Sequence, residues 1–265
     1  MYSTKIDWAE ASWNPVSGCN HGCEYCYARN MVNRFGRDSA CGAGRNIGTE
    51  RRPLYELEKR VYEQMEDGSP KFNPYPFRFA PTLHRYRLDD PKAWHKQRTI
   101  FACSMADLFG DWVPETWIRD VFAACKAAPR HRYLFLTKNP RRYNELLDDH
   151  ILPARADNYW YGVTRTGKDS DREYDVPMSG HAFLSVEPIL SPMERSTLNA
   201  LEMWEWVIVG AESGDRKGKV TPRKEWIDEI AERCRENRIP IFMKTSIREL
   251  MGADFRQEYP WGEQR

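Results

Sequence analysis

Cys19, Cys23 and Cys26 fall within the eight residues "CNHGCEYC". Seven cysteines placed at random along the chain would give this Cys-x3-Cys-x2-Cys spacing with a probability of about 0.005, so the cluster calls for chemistry. Thiolates this close together suit metal binding. A structural zinc ion wants four ligands, usually as two pairs well apart in sequence. His21 lies inside the loop and would be an unusual fourth ligand so near the thiolates. A [4Fe–4S] cluster normally takes four thiolates, so three leave one iron open to a substrate or cofactor. Gly18 and Gly22 would let the backbone wrap closely around such a cluster and aim amides at its sulfurs. A loop without metal is the third reading.

The elements that must position this loop are legible from residue 99 onward. Six short apolar runs occur there: "TIFAC" (99–103), "YLFLT" (133–137), "YWYGVT" (159–164), "AFLSV" (182–186), "WVIVG" (206–210) and "PIFMK" (240–244). Each is too short for a buried helix and rich in β-branched and aromatic residues, as strands covered on both faces are. Between them lie amphipathic helices. "PETWIRDVFAACKAA" gathers Trp117, Ile118, Val121, Phe122 and Cys125 on one face behind Pro114. "TPRKEWIDEIAERC" gathers Trp226, Ile227, Ile230 and Cys234, with Thr221 as the expected cap and Pro222 at the first helical position.

Strand–helix alternation predicts an α/β fold with a parallel sheet. The polar residues that follow the runs select the variant. Ser104 and Asp107, Thr137 and Lys138, Thr164 and Arg165, Glu187, Glu212 and Ser213, then Lys244 and Thr245 would converge on one mouth in a barrel, where active sites of such barrels lie. No G-x-G-x-x-G or Walker pattern follows any strand. The expectation is a partial (β/α)6-7 TIM-type barrel.

Residues 1–98 are less regular and form the expected cluster-binding region. "WNPVSG" reads as a first strand, "ARNMVNRF" as a helix, and "RRPLYELEKRVYEQM" as a clearer helix through Leu54, Leu57, Val61 and Met65. Residues 67–91, rich in Pro, Phe and Arg, read as an irregular covering loop. The whole chain, 1–265, reads as one domain: this region, the alternation over 99–250 and a C-terminal tail over 251–265. Cys125 and Cys234 read as core. Cys103 reads as core or barrel mouth, and Cys41 as a solvated loop thiol, an auxiliary ligand or a substrate-facing thiol.

Here the residues carry a resemblance. Cys-x3-Cys-x2-Cys with Tyr25 before the last cysteine resembles the signature of the radical S-adenosylmethionine (SAM) enzymes. That resemblance implies a [4Fe–4S] cluster on Cys19, Cys23 and Cys26, with the SAM amino and carboxylate groups on the open iron. An electron from the cluster would cleave SAM to methionine and a 5′-deoxyadenosyl radical that abstracts hydrogen from a substrate. It also implies a partial barrel, Tyr25 near the adenine, and an electron donor of flavodoxin or ferredoxin type. "TKIDWAEASWNPVSGC", "SMADLFGD", "LTKNPRR", "FLSVEPILSP" and "WVIVGAESG" together resemble an uncharacterised radical-SAM-like family of phages and bacteria, over residues 4–214. The Gly-Gly-Glu-Pro motif of radical SAM enzymes is absent in that form; Glu187-Pro188 and Gly210-Ala211-Glu212-Ser213 echo it in part. SAM, a zwitterionic sulfonium, needs acceptors for its ammonium and donors for its carboxylate and ribose, which makes Ser104, Lys138, Glu187, Glu212 and Lys244 candidate SAM ligands.

Composition narrows the partners. Forty basic against thirty-nine acidic residues give a net charge of +1, so no global field selects a polyanion. The basic–aromatic runs "HRYRL" (84–88) and "KNPRRY" (138–143) could still bind phosphates and stack bases, which favours a nucleic acid or nucleotide as substrate. The alternatives are the same chemistry on a small molecule or peptide, and a zinc-stabilised nucleic-acid-binding protein without catalysis. Hydrophobic residues at 41% supply a sizeable core, and no window reaches the roughly 18 apolar residues of a membrane span. With clustered cysteines and no apolar leader-like stretch, a cytoplasmic protein is expected.

Overall fold

The computed structural model describes residues 4–35, 44–153, 156–167, 180–214 and 216–262. In chain order the N-terminal part comprises β1 (Ala11–Trp13), β2 (Val16–Ser17), α1 (Tyr27–Phe35), β3 (Arg45–Asn46), β4 (Tyr55–Leu57), β5 (Val61–Gln64), β6 (Pro70–Asn73), β7 (Thr82–His84) and α2 (Asp90–Ala93). The alternating part follows: β8 (Thr99–Ala102), α3 (Glu115–Ala127), β9 (Arg132–Thr137), α4 (Arg141–Asp148), β10 (Tyr159–Arg165), β11 (His181–Val186), α5 (Arg195–Asn199), β12 (Trp206–Val209), α6 (Lys224–Glu236), β13 (Ile241–Met243) and α7 (Arg248–Met251). Cys41 lies outside the described residues. None of the described helices is long and apolar enough to cross a membrane.

Seven strands form one parallel sheet in the order β1-β8-β9-β10-β11-β12-β13. Each new strand adds to the same side of the last, so the crossovers place their helices on one face and the sheet curls away from them. The order ends at β1 and β13, which are not paired, and the result is an open half-barrel. All six expected strands are present, and the sheet's first strand is Ala11–Trp13, just ahead of the stretch expected.

Alternation along each strand separates two cores. Tyr161, Leu184, Val207 and Ile241 face outward, where the apolar stripes of α3 and α6 cover them. Cys103, Cys125 and Cys234 belong to this outer core. Trp160, Phe183, Trp206 and Phe242 face inward and meet Trp8 and Phe101. Their rings pack edge-on or tilted, as at Trp8–Phe101, 4.6 Å between centroids. Trp261 from the tail closes this layer against Trp160 and Trp206 at 5.2 and 5.1 Å. The tail also occupies the free edge of β13: Glu258 N–H donates to Ile241 O and Met243 N–H to Arg256 O. That covers an edge that would otherwise expose unpaired backbone.

Three local expectations are corrected. The helix expected over 51–65 is replaced by β4 and β5. Tyr55–Leu57 pairs in parallel with Thr82–His84, and Val61–Gln64 forms a hairpin with Pro70–Asn73. Half-buried and exposed positions alternate along β5, so the three-to-four spacing of Leu54, Leu57 and Val61 runs across two separate strands and the residue ahead of the first. The expected covering loop likewise contains β6 and β7; β7 is fully buried at the centre of a second sheet, β2-β7-β4-β3. Finally, α6 starts at Lys224 with Arg223 as its extended cap residue. Pro222 is buried ahead of the helix, and Thr221 caps nothing.

Candidate functional site

The cysteine loop begins where β2 ends, shortly after β1 of the half-barrel. Asn14, directly after β1, accepts from Ser104 Oγ and Met105 N–H, which ties the ends of β1 and β8 together. Gly18 then runs beside Ala106, its N–H donating to Met105 O at 2.9 Å. Gly18 has a φ of +85°, and a Cβ there would stand 2.3 Å from Ala80 O. Glycine is therefore required on two counts. Gly22 also has positive φ, +72°, but a Cβ there would meet nothing within 4 Å, so close approach is the role of Gly18 alone.

The loop carries Cys19, Cys23 and Cys26, all half-buried, onto the wall of a cavity of about 590 Å³. That volume lies within the range of small-molecule sites. Burial pushes the Cys19 thiol up to about 12; a backbone hydrogen bond at His21 opposes this, while Asp107, Cys26 and Cys23 add to it by repulsion. A thiolate there wants a compensating cation, which a metal centre supplies. Arg29 N–H donates to Cys26 Sγ at 3.4 Å, the kind of amide that stabilises a metal-bound sulfur. Among the described residues no group of three or more His, Cys, Asp or Glu side chains converges on a point that could hold a single metal ion.

The same cavity gathers most of the strand-end residues; Arg165 and Thr245 do not line it, and Thr245 bonds Asp7 instead. Tyr25, Ser104, Lys138, Glu187, Glu212 and Lys244 all line it. They are not equally available. Lys244 Nζ is ion-paired with Glu187 at the mouth. Arg216 clamps Glu212 through two hydrogen bonds, 2.6 and 2.8 Å, which hold its carboxyl below the ordinary carboxylate value despite burial. Lys138 Nζ stands 5.4 Å from the centre of the Tyr25 ring, a cation–π contact. Tyr27 OH donates to Ser104 O and pins the start of α1 to the end of β8.

Lys138, Glu187 and Glu212 line the cavity at the strand ends, as do His21, Asp107 and Lys244; two residues before the first two, Leu136 and Ser185 add uncharged lining, and Trp8 and Phe101 add aromatic lining. Ser185 is fully buried and its Oγ has no hydrogen-bond partner in the protein. The Trp8 ring is 1% exposed and its Nε1–H is likewise unpartnered. Both side chains line the cavity, and buried polar groups ordinarily find partners, so the chamber suits a ligand with polar atoms. Sequence reasoning missed Ser185, which reads as a small residue inside an apolar strand. Its period-2 relation to Glu187 was the available signal.

The two basic–aromatic segments are engaged within the fold. Arg85 pairs with Glu56, Glu58 and Asp120, and Arg87 donates to the carbonyls of Asn14 and Pro74. His84 is buried against Ser17 Oγ. Arg141 pairs with Glu145, and Arg142 with Glu145 and Glu115. A second depression, about 690 Å³, lies over Arg45, Glu56, Glu58 and Arg85, whose charges belong to this same network.

Residues 3–249 match the family described as "Protein of unknown function (DUF5131)", and the chain belongs to that family. No curated protein matches it. A solved structure of spore photoproduct lyase complexed with a dinucleoside spore photoproduct is similar at 12% identity and a TM-score of 0.48, over 89% of this chain. The match spans 64% of that protein's chain.

Proposed function

We propose that this member of the DUF5131 family is a radical SAM enzyme. The observation that carries the reading is the Cys19-x3-Cys23-x2-Cys26 loop set on the wall of a cavity at the carboxyl ends of parallel strands. The three other described cysteines are buried in the outer core, so none of them competes for the fourth position. Bound there, a [4Fe–4S] cluster and SAM would supply a 5′-deoxyadenosyl radical for hydrogen abstraction.

The chain's own residues hold and shield that chemistry. Cys19, Cys23 and Cys26 hold the cluster. The Lys244–Glu187 pair offers one donor and one acceptor at the rim to a zwitterionic ligand, and Ser104 and Lys138 offer further polar contacts. Tyr25 presents a ring for a planar adenine. Glu212 is held rigidly by Arg216 and shapes the rim. Trp8 and Phe101 make part of the chamber wall apolar, which disfavours water beside a reactive intermediate.

Leu136, Ser185, Trp8 and Phe101 offer an uncharged part of the chamber to the substrate group that reacts. A nucleotide or nucleic acid is the class we favour. Its support is the aromatic lining of Tyr27, Tyr75 and Phe79, since Arg85, Arg87, Arg141 and Arg142 of the two basic segments are engaged within the fold and Lys138 alone of them lines the cavity. Reduction would come from a flavodoxin- or ferredoxin-type donor, and a reducing cytoplasm would suit the thiols.

Anaerobic reconstitution tests the reading. Iron and acid-labile sulfide should load in wild type, and dithionite with SAM should release 5′-deoxyadenosine. Cys23→Ala should lose both. A colourless protein holding zinc, or a Cys23→Ala variant that retains cleavage, would sink it. Stimulation of 5′-deoxyadenosine release by oligonucleotides but not by peptides would support the substrate class; the reverse would count against it.

A further inference from the structure

His21 lies between two of the loop's cysteines, yet it is bound to a residue 86 positions away in sequence. Its Nε2 stands 2.7 Å from Asp107 Oδ2. Asp107 is nearly buried, 5% exposed, and its other contacts all come from donors. Lys138 N–H reaches Oδ2 at 2.9 Å, while Thr137 Oγ–H and Phe109 N–H reach Oδ1 at 2.7 and 3.0 Å. A carboxylate so surrounded acts as acceptor only, so Nε2 of His21 carries the hydrogen and donates it. Burial works to raise the Asp107 carboxyl, but these bonds, led by His21, outweigh it and hold it below the ordinary value. Trp112 packs edge-on against the His21 ring at 4.8 Å and limits its rotation.

The loop has few other fixed points. Gly18 N–H, Cys19 N–H and the Arg29 contact to Cys19 O all act at its start. Its middle reaches the barrel through the Tyr25–Lys138 ring contact at 5.4 Å, the Glu24–Arg216 contact at 3.9 Å and the His21–Asp107 bond. Glu24 is exposed and its contact is screened by water. The His21–Asp107 bond is short, charge-assisted and partly shielded from water, and such bonds are among the strong ones.

We propose that His21 is the positioning residue of the cysteine loop: through Asp107 it fastens the loop to the ends of β8 and β9, and it does not itself ligate iron. The identity of the cluster rests on the radical SAM reading. The fastening does not.

The test compares wild type with His21→Ala, His21→Gln and Asp107→Ala, and the glutamine variant is decisive because its side-chain amide can donate from nearly the position of Nε2. Hydrogen exchange of backbone amides 20–26 is measured without iron. His21→Ala and Asp107→Ala should speed it at least tenfold, and His21→Gln should restore protection. After anaerobic reconstitution, iron loss to a chelator should accelerate in His21→Ala and recover in His21→Gln. The electron paramagnetic resonance signal of the reduced protein should keep its shape, and its response to SAM, in all three variants.

Unchanged exchange in His21→Ala overturns the proposal. So does a His21→Gln variant as exposed as His21→Ala. A wild-type signal that ignores SAM and becomes SAM-responsive in His21→Ala would make His21 an iron ligand, which also overturns it. Should wild type take up no iron and sulfide, the radical SAM reading fails, while the exchange experiment still decides the fastening.

Discussion

Replacing Gly18 by alanine isolates the geometry that delivers the cysteine loop, and Gly22→Ala is its internal control. Both glycines neighbour a cysteine and both have positive φ, +85° and +72°. An alanine in that region costs about 1–2 kcal/mol at either site. The sites differ in what the new methyl meets. At Gly18 it would lie 2.3 Å from Ala80 O and 2.4 Å from Ala80 C, backbone atoms that cannot rotate away. Displacing them adds about 1–3 kcal/mol, the usual cost of overpacking. At Gly22 it meets nothing within 4 Å. Gly18→Ala should therefore cost about 2–5 kcal/mol and Gly22→Ala about 1–2 kcal/mol. Urea unfolding of the iron-free variants, read from midpoints at constant slope, measures the difference. Equal losses at the two sites, or a harmless Gly18→Ala, would refute the argument that the loop is seated by close backbone approach.

Further expectations concern the chamber, its plug and acid stability. Trp261→Ala removes a half-buried ring from Trp160, Trp206 and the Arg132 guanidinium, so about 2–4 kcal/mol of stability should be lost in the same unfolding assay. Ser185→Ala removes a buried hydroxyl without a protein partner; thermal unfolding of the iron-free protein should show unchanged or slightly raised stability, by at most about 1 kcal/mol. Lys244→Met leaves Glu187 without its cation and should weaken SAM binding by roughly tenfold or more, read by titration calorimetry on the reconstituted protein. Burial, then the charge of Arg87, holds the His84 imidazole well below its ordinary value, so the unfolded chain takes up a proton that the folded protein refuses. Stability then falls as pH drops below about 6.5, by about 1.3 kcal/mol between pH 7.5 and 5.5. His84→Gln should remove that share of the slope in urea titrations at the two pH values.

Legibility followed the range of the interactions. The six strands from Thr99 to Met243 were readable because parallel strands covered on both faces need unbroken apolar runs. The stripes of α3 and α6 were readable because one face must meet the sheet. The region over 51–91 was misread because β4 and β7 are held by pairing between strands about 27 residues apart, and a spacing of three or four in a short window mimics a helix. The cap of α6 was placed early because Pro222 is buried ahead of the helix and does not begin it.

At the site the division is similar. The cysteine spacing and the polar residues at the strand ends are local patterns, and the sequence by itself determined them, along with the half-barrel that turns strand ends into a shared mouth. Only the tertiary structure decided how those residues are spent. It paired Lys244 with Glu187 across 57 positions and locked Glu212 to Arg216. It seated Arg85 and Arg87 in the fold's own network, and it brought Asp107 under His21. A side chain's partner depends on which strands lie beside its own and on the face to which it points. Neither is written in the residues next to it.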